Sequence, residues 1–381
     1  MKIKQLLSKA YRSLFLIHLP FYTNNILIIR LDNIGDYILF RNGLKQIRIS
    51  DRFKNRKITL LGNKVFKDIA ENFDNKEIDN FIWIDPKILN NNLKKIALIC
   101  KLKLRAYHTI INPVHHRYIN NDLFIKYINA KQAIGSKGHS RQPANQEKQL
   151  SESCYTELID IPGDATFEFF RNVAFIENLT QLYNSQYKLE IALAKNKQEK
   201  INNSSKIRIV IVPGASAEFR RWSTKNILDL IINLNDEYNK KCIFYLTGSK
   251  SEIHLGEQIC RNIPTHVTIE NLIGKTTLLE TIEIVNNSDL LISNETGTVH
   301  IAAALKTPAV CISNGNDFGR FNPYPSTLAE NIITLYPIDN FYKNELYQTN
   351  VQKFHISDLD INDITVQSVF EAAKTLIEKV N

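Results

Sequence analysis

Three things are missing from this 381-residue sequence, and each absence removes a class of function. No Gly-x-Gly-x-x-Gly follows the first apolar strand segment, Ile26 to Leu31, which argues against a dinucleotide-dependent dehydrogenase. No Cys-x-x-Cys and no Cys/His cluster occurs among the five cysteines, Cys100, Cys154, Cys242, Cys260 and Cys311. Their odd number and wide spacing are expected of reduced, buried residues in a cytoplasmic protein rather than of a metal or disulfide framework. The apolar run Leu14 to Leu19 contains His18 and is too short to span a bilayer, and no small-residue cleavage site follows it. Neither a membrane span nor a secretory signal is expected there.

What remains is a globular composition, 44% hydrophobic and 23% charged, on a chain long enough for two domains. A formal net charge of +9 points to an anionic partner: nucleic acid, anionic lipid or a phosphorylated substrate. Lysine is spread along the chain rather than clustered, so nucleic acid is not expected. Residues 1–23 form a basic amphipathic segment, with Lys2, Lys4, Lys9 and Arg12 interleaved with Leu6, Leu7, Tyr11, Leu14, Phe15 and Leu16, ending at Pro20. Two readings stay open for it, a helix lying on an anionic membrane surface and a helix packed on its own domain.

From Asn25 onward short apolar runs alternate with helical periodicity, the pattern of a parallel α/β sheet. Ile26 to Leu31 is the first strand and ends in Asp32-Asn33-Ile34-Gly35-Asp36, with a helix expected over Tyr37 to Arg48. Asp36 thus lies at a strand's carboxyl end, where open α/β sheets bind ligands; a capping aspartate is the plain alternative. Further strands are expected at Lys57 to Leu61, within Glu77 to Ile84 and at Tyr107 to Asn112, with helices at Lys64 to Asn72 and, strongly basic, at Leu89 to Leu104. The cluster His115-His116-Arg117 suits a polar or anionic substrate; neighbouring histidines on a loop point apart and lack a third ligand, so zinc is rejected. Ala130 to Gly135 is expected to be the last strand of this half, Ser136 to Ser153 a polar loop, Thr166 to Tyr183 a helix and Lys195 to Lys206 an interdomain linker.

The α/β pattern then begins afresh. Ile207 to Val212 leads into a loop carrying Ser216, Arg220 and Arg221, and Ser223 is placed to cap a helix over Thr224 to Glu237. Cys242 to Leu246 ends in Thr247-Gly248-Ser249, ahead of a helix that includes Glu252, and Ile269 to Ile273 reaches Gly274-Lys275-Thr276. The stretch Ser288 to Leu305 reads as strand, turn and helix, with Asn294 to Thr298 as the turn and an alanine-rich helix behind it. Such a helix N-terminus offers unpaired N–H groups and a positive dipole end to phosphate, and Gly297 allows close approach to the backbone. Pro308 to Ile312 is the last strand expected. Four strand ends therefore deliver Gly, Ser, Thr or Arg to one edge of one sheet, as a nucleotide site requires.

Gly35-Asp36 after a long apolar strand, Pro213-Gly214-Ala215-Ser216 followed by Arg221-Trp222, Leu272-Ile273-Gly274-Lys275-Thr276, and Asn294-Glu295-Thr296-Gly297 with His300 together resemble glycosyltransferase family 9, the heptosyltransferases of lipopolysaccharide core assembly. The resemblance implies an α/β GT-B architecture, two Rossmann-like domains facing across a cleft. It places an acceptor-binding domain at 1–195, a nucleotide-sugar domain at 206–355, and a C-terminal helix within 356–381, over Val366 to Val380, returning to the first domain. It implies an inverting, metal-independent transferase without a cofactor, moving a sugar from ADP-heptose or another nucleotide-sugar to a lipid-linked or core oligosaccharide at the inner face of an anionic membrane.

Under the same resemblance Asp36 is the base, and the acceptor is met by His115, His116 and Arg117. The donor is met by Ser216, Arg220, Arg221, Thr247, Gly248, Ser249, Glu252, Ile273, Gly274, Lys275, Glu295, Thr296, Gly297, Thr298 and His300. Two positions depart from the family pattern: Glu295 replaces an aspartate one methylene shorter, and Arg220-Arg221 stands where lysine is frequent, keeping the charge and gaining a bidentate grip. The Asp358-Leu359-Asp360 motif, used for metal by other transferases, is read as capping or solvent-exposed. A sugar-nucleotide epimerase of the same fold and an inactive sugar-nucleotide-binding paralogue are the alternatives.

Overall fold

A computed structural model describes residues 21–138, 145–163, 165–183, 186–193, 206–337, 344, 345, 347, 349 and 357–380. Residues 1–20 of the basic N-terminal segment and all but Lys206 of the expected linker lie outside the described residues, apart from its border. The chain divides into two compact units, residues 1–187 and 188–381.

The first unit is built on six parallel strands: β1 (Asn25–Arg30), β2 (Lys57–Asn63), β3 (Asn80–Ile84), β4 (Thr109–Asn112), β5 (Gln132–Ser136) and β6 (Glu157–Ile159). The second has β7 (Ile207–Val212), β8 (Cys242–Leu246), β9 (Thr268–Asn271), β10 (Leu290–Asn294), β11 (Ala309–Ile312) and β12 (Ile332–Leu335), again parallel. Sheet orders are β3-β2-β1-β4-β5-β6 and β9-β8-β7-β10-β11-β12. Each is the doubly wound order whose winding reverses between its first and fourth strands, and ligands bind outside the carboxyl ends at that reversal. The strands read as apolar runs because crossover helices cover both sheet faces. Ile26, Leu27 and Ile28 in β1, and Leu290 and Leu291 in β10, are fully buried.

Five expectations are corrected. The helix foreseen over Tyr37 to Arg48 is two helices, Ile34–Arg41 and Leu44–Ile49, separated at Asn42-Gly43, where the Gly43 N–H turns back to the Phe40 carbonyl at 2.9 Å. The first sheet does not end at β5: β6 follows a helix, Asn145–Glu152, in the region expected to be loop. The second sheet likewise gains β12. These strands are only three and four residues long, too short for a periodicity signal. Cys100 is exposed rather than buried, on the outer face of its helix.

The fifth correction concerns the final helix, Val366–Val380. Its apolar residues Val369, Ala373, Leu376 and Ile377 join the second unit's own core with Leu230, Leu234 and Val310, a packing the resemblance did not imply. Trp222 secures this arrangement, buried to 2% with its indole N–H donating to the Ile364 carbonyl at 2.9 Å. The Ser223 N–H adds a bond to Asn362 Oδ1, also at 2.9 Å.

Candidate active site

In the second unit the loops after β7, β8, β9, β10 and β11 leave from one sheet edge, because the strands pair in register up to Val212, Leu246, Asn271, Asn294 and Ile312. Asn294 holds the two central loops together. Its amide donates to the Pro213 and Gly214 carbonyls at 2.9 and 3.2 Å, while its Oδ1 accepts the Trp222 N–H at 3.0 Å. Both ends of the β7 loop are thereby tied to the last residue of β10. Arg221 closes the same loop internally, donating through Nε and NH2 to the Ala215 carbonyl at 3.1 and 3.0 Å. Ser216 is exposed at its tip.

The helix Gly297–Leu305 begins where β10 ends, with Thr296 as N-cap accepting the Thr298 N–H at 3.3 Å. Beside that end, Glu295 is 6% exposed and accepts from Ser313 Oγ at 2.5 Å and from Arg220, 3.4 Å from its Oε2. Arg220 also reaches the Glu295 carbonyl at 3.3 Å and lies 3.8 Å from Asp317. Two carboxylates thus fix one guanidinium. Yet Arg220 Nε, Glu295 Oε1 and Thr247 Oγ1 are buried with no hydrogen-bond partner. Buried polar atoms without partners cost about 1–3 kcal/mol each, so these three, at the ends of β8 and β10 and in the β7 loop, leave bonding capacity on this sheet edge.

The neighbouring loops owe their shape to two glycines and a cap. Glu252 accepts both the N–H and the hydroxyl of Ser249 at 2.7 Å. Its carboxyl lies against Gly214, where a Cβ would stand 1.8 Å from Glu252 Oε1. Gly274 takes φ +73° and donates to the Gly248 carbonyl at 3.0 Å, binding the β9 loop to the β8 loop; that φ disfavours any residue with a Cβ. Ile273 is buried beneath it, and Lys275 turns back to the Asn271 carbonyl at 2.7 Å. His300 is buried behind the helix start, its Nδ1 2.5 Å from the Tyr324 hydroxyl. Burial raises that hydroxyl well above the ordinary tyrosine range.

In the first unit, Asp36 is half-buried and occupies the third position of the helix Ile34–Arg41, with Asn33, not Asp36, as the N-cap residue. Its Oδ2 accepts the Asn33 N–H at 3.2 Å. Beneath it Arg30, fully buried at the end of β1, donates to the Asp36 carbonyl at 2.9 Å and ion-pairs with Asp32 at 2.8 Å. Asp32 Oδ1 is buried without a partner. Burial pushes the Asp32 carboxyl up to about 7; Arg30 opposes the rise, and Asp36 and Glu168 add to it.

The histidine and arginine cluster is divided by the fold. Arg117 is 1% exposed and internal: it bonds the Ser136 carbonyl and Ser151 Oγ, lies 3.7 Å from Asp122 and stacks 5.0 Å from the Tyr155 ring centre. His116 is buried against Arg171, 3.1 Å away, and Arg171 in turn lies 3.8 Å from Glu168. His115 keeps partial exposure, with Nδ1 3.1 Å from Ser136 Oγ. Sequence reasoning passed over Asn294 as a clamp, Ser313 and Asp317 after β11, Asp32 against Arg30, and Glu168, whose charge acts on Asp32. Asp358 and Asp360 act locally: Asp358 accepts the Tyr347 hydroxyl at 2.9 Å and Asp360 caps a short turn through the Asn362 N–H at 2.9 Å.

Two doubly wound units, each a parallel six-stranded sheet, are the architecture of the GT-B glycosyltransferases. Residues 96–349 match the profile of glycosyltransferase family 9 (heptosyltransferase), and the chain belongs to that family. The match begins beyond β3, so Asp36 lies outside it. Over 349 residues the chain is 21% identical to lipooligosaccharide heptosyltransferase 2 of Campylobacter jejuni, covering 91% of this chain and 96% of that protein. It is 26% identical over 132 residues to the lipopolysaccharide core heptosyltransferase OpsX of Haemophilus influenzae, a match spanning 35% of this chain and only 37% of OpsX. Among solved structures, ADP-heptose LPS heptosyltransferase II of Escherichia coli superposes with TM-score 0.67 at 17% identity, covering 93% of this chain and 99% of that one. A family 9 glycosyltransferase from Veillonella parvula gives TM-score 0.69 at 18% identity, with 95% and 99% covered.

Proposed function

We propose that this glycosyltransferase moves a heptose from ADP-heptose to a lipopolysaccharide or lipooligosaccharide core acceptor, with inversion and without a metal, on the cytoplasmic side of an anionic membrane. The observation that carries the reading is Arg220 Nε, buried and unpartnered while its guanidinium is held at Glu295 beside the helix start at Thr296 to Thr298, with Thr247 Oγ1 likewise unpartnered at the end of β8. A nucleoside diphosphate supplies the acceptor oxygens those donors lack. Its likeness to lipopolysaccharide and lipooligosaccharide heptosyltransferases supports the sugar and the core acceptor.

In this mechanism the second unit holds the donor and the first unit supplies the base. Asp36 takes the proton from the acceptor hydroxyl as its oxygen bonds to the anomeric carbon. The bond from that carbon to the diphosphate oxygen breaks, and ADP leaves with the electron pair. Asn33 fixes the carboxylate through its N–H, and Arg30 fixes the backbone beneath it. Arg220 and the helix N-terminus meet the charge growing on the diphosphate, in the role a divalent ion has elsewhere. Glu295 keeps Arg220 oriented through its ion pair and its own bond from Ser313. On the acceptor side, His115 is the cluster member with surface to offer.

The test is ADP-heptose with and without a core acceptor lacking that heptose, in EDTA. Glycosylated acceptor and free ADP are expected, with no product when the acceptor is omitted. A sugar altered without acceptor identifies an epimerase, and donor binding without turnover identifies an inactive paralogue. A strict need for magnesium overturns metal independence.

A further inference from the structure

The helix Asn92–Leu104 carries two apolar stripes on opposite sides. Leu98, Ile99 and Leu102 are buried in the first unit's core with Phe124 and Tyr107. At about 100° per residue, Leu93, Ala97, Cys100 and Leu104 fall within about 60° of arc on the opposite face. All four are exposed, Leu93 to 79% and Leu104 to 80%, the highest values among the large hydrophobic residues. Leaving leucines so exposed on a three-turn helix has no folding rationale, since solvation of that stripe is unfavourable.

The charges around the stripe are all of one sign. Lys94, Lys101 and Arg105 flank it on one side and Lys103 on the other, while Lys95 completes a stretch from Asn92 to Arg105 with five cations and no Asp or Glu. Lys94, Lys101 and Arg105 form no ion pair among the described residues. A protein partner with an apolar groove would account for the leucines alone. Leucines at the centre bordered by Lys94, Lys101 and Arg105, with a further cation across the stripe, fit a surface that is apolar inside and anionic at its boundary, an anionic lipid bilayer. Each lysine then lays its methylene stem along the interface with its ammonium at the headgroup phosphates.

We infer that the outer face of the helix Asn92–Leu104 docks the protein on anionic membrane, with Leu93 and Leu104 as apolar anchors and Lys94, Lys101 and Arg105 as headgroup contacts. The inference deepens the proposed function, since it rests on the acceptor being lipid-borne. The helix lies in the unit to which that reading gives the acceptor.

The experiment is co-sedimentation of the full chain with vesicles of phosphatidylglycerol and phosphatidylethanolamine against vesicles of phosphatidylcholine alone, with no donor or acceptor added. Binding to the anionic vesicles is expected, with about a tenfold or greater loss in Leu93→Ser/Leu104→Ser, from the apolar burial forfeited. Lys94→Gln/Lys101→Gln should lose about fivefold per charge removed. Melting temperature and ADP binding should be unchanged in both variants. Equal binding to the two vesicle types, or wild-type binding by the leucine variant, overturns the inference; the latter outcome assigns adhesion to residues 1–20. A fall in melting temperature or in oligomeric state on Leu→Ser also overturns it, because the stripe is then covered by protein. Transferase failure with vesicle binding intact counts against the proposed reaction alone.

Discussion

The two sheets share one strand order, yet their carboxyl edges are furnished differently. The second unit presents a capped helix start, two glycine-shaped loops and an asparagine clamp, with its charges on the loops: Arg220, Arg221, Glu252, Lys275, Glu295 and Asp317. The first unit instead crowds charge at its edge, with Arg30 and Glu168 buried, Asp32 partly so, and Asp36 half-exposed. A fixed array of donors suits an anion that must be held through a reaction. A crowd of carboxylates around one buried arginine suits a group that must accept a proton. Under the proposed function the same scaffold serves binding at one edge and proton transfer at the other.

That division predicts its largest effect at Asp36. Asp36→Asn keeps the shape and the bond from Asn33 but removes the proton acceptor, and loss of a positioned base lowers turnover by about 10² to 10⁴. ADP affinity, measured by titration calorimetry, should be unchanged. Near-normal turnover would leave Asp36 a helix-start residue only and erase the proposed contrast.

Asn294→Ala comes next, and it strikes the second unit's framework. The variant strands the Trp222 N–H and the Pro213 and Gly214 carbonyls in a buried place, a loss of about 2–4 kcal/mol by the cost of such orphans. Denaturant midpoints check it. A loss below about 0.5 kcal/mol would show the β7 loop held by other bonds.

Arg220→Ala should weaken ADP binding about ten- to a hundredfold, the worth of one charge-assisted hydrogen bond, and leave Glu295 with Ser313 as its remaining partner. Arg220→Lys should recover part of the affinity, as a point charge without the fork. An ADP affinity untouched by either change, with turnover reduced, would move Arg220 from holding the donor to holding Glu295.

How much of this was legible in the sequence depends on what each element uses to declare itself. β1, β7 and β10 are unbroken aliphatic runs, and Ser223 caps its helix as its position suggests, with the Asn226 N–H at 3.2 Å. β6 and β12 are short edge strands whose pairing is decided by the sheet rather than by their own pattern. The final helix shows its periodicity in sequence but not its partner, which Trp222 selects through a bond to Ile364, 142 residues away. At the site, loop chemistry was readable where a residue type has one strong use, as with Thr296 at a helix start. Arg117 misled because a cation after a strand looks the same whether it faces solvent or Asp122. Asp32 was silent because its character comes from burial, and burial is a property of the packed chain.

Asp32 supplies the smallest effect and the sharpest test of the buried-charge edge. Its carboxyl stands at about 7 in the folded protein against an ordinary 3.8, with burial as the main cause. The protonated form is therefore favoured by folding. The stability it contributes is full below about pH 4 and is lost as pH rises through about 7. Asp32→Asn cannot titrate, so wild type should lose melting temperature relative to the variant between about pH 5 and pH 8, by about a few degrees. The comparison is of slopes, because the variant also removes the partner of Arg30 and so shifts the whole curve by a constant. Parallel curves would mean that Asp32 stays ionised throughout. Its burial would then be offset by Arg30, and the first unit's edge would be a set of paired ions instead of a reservoir for a proton.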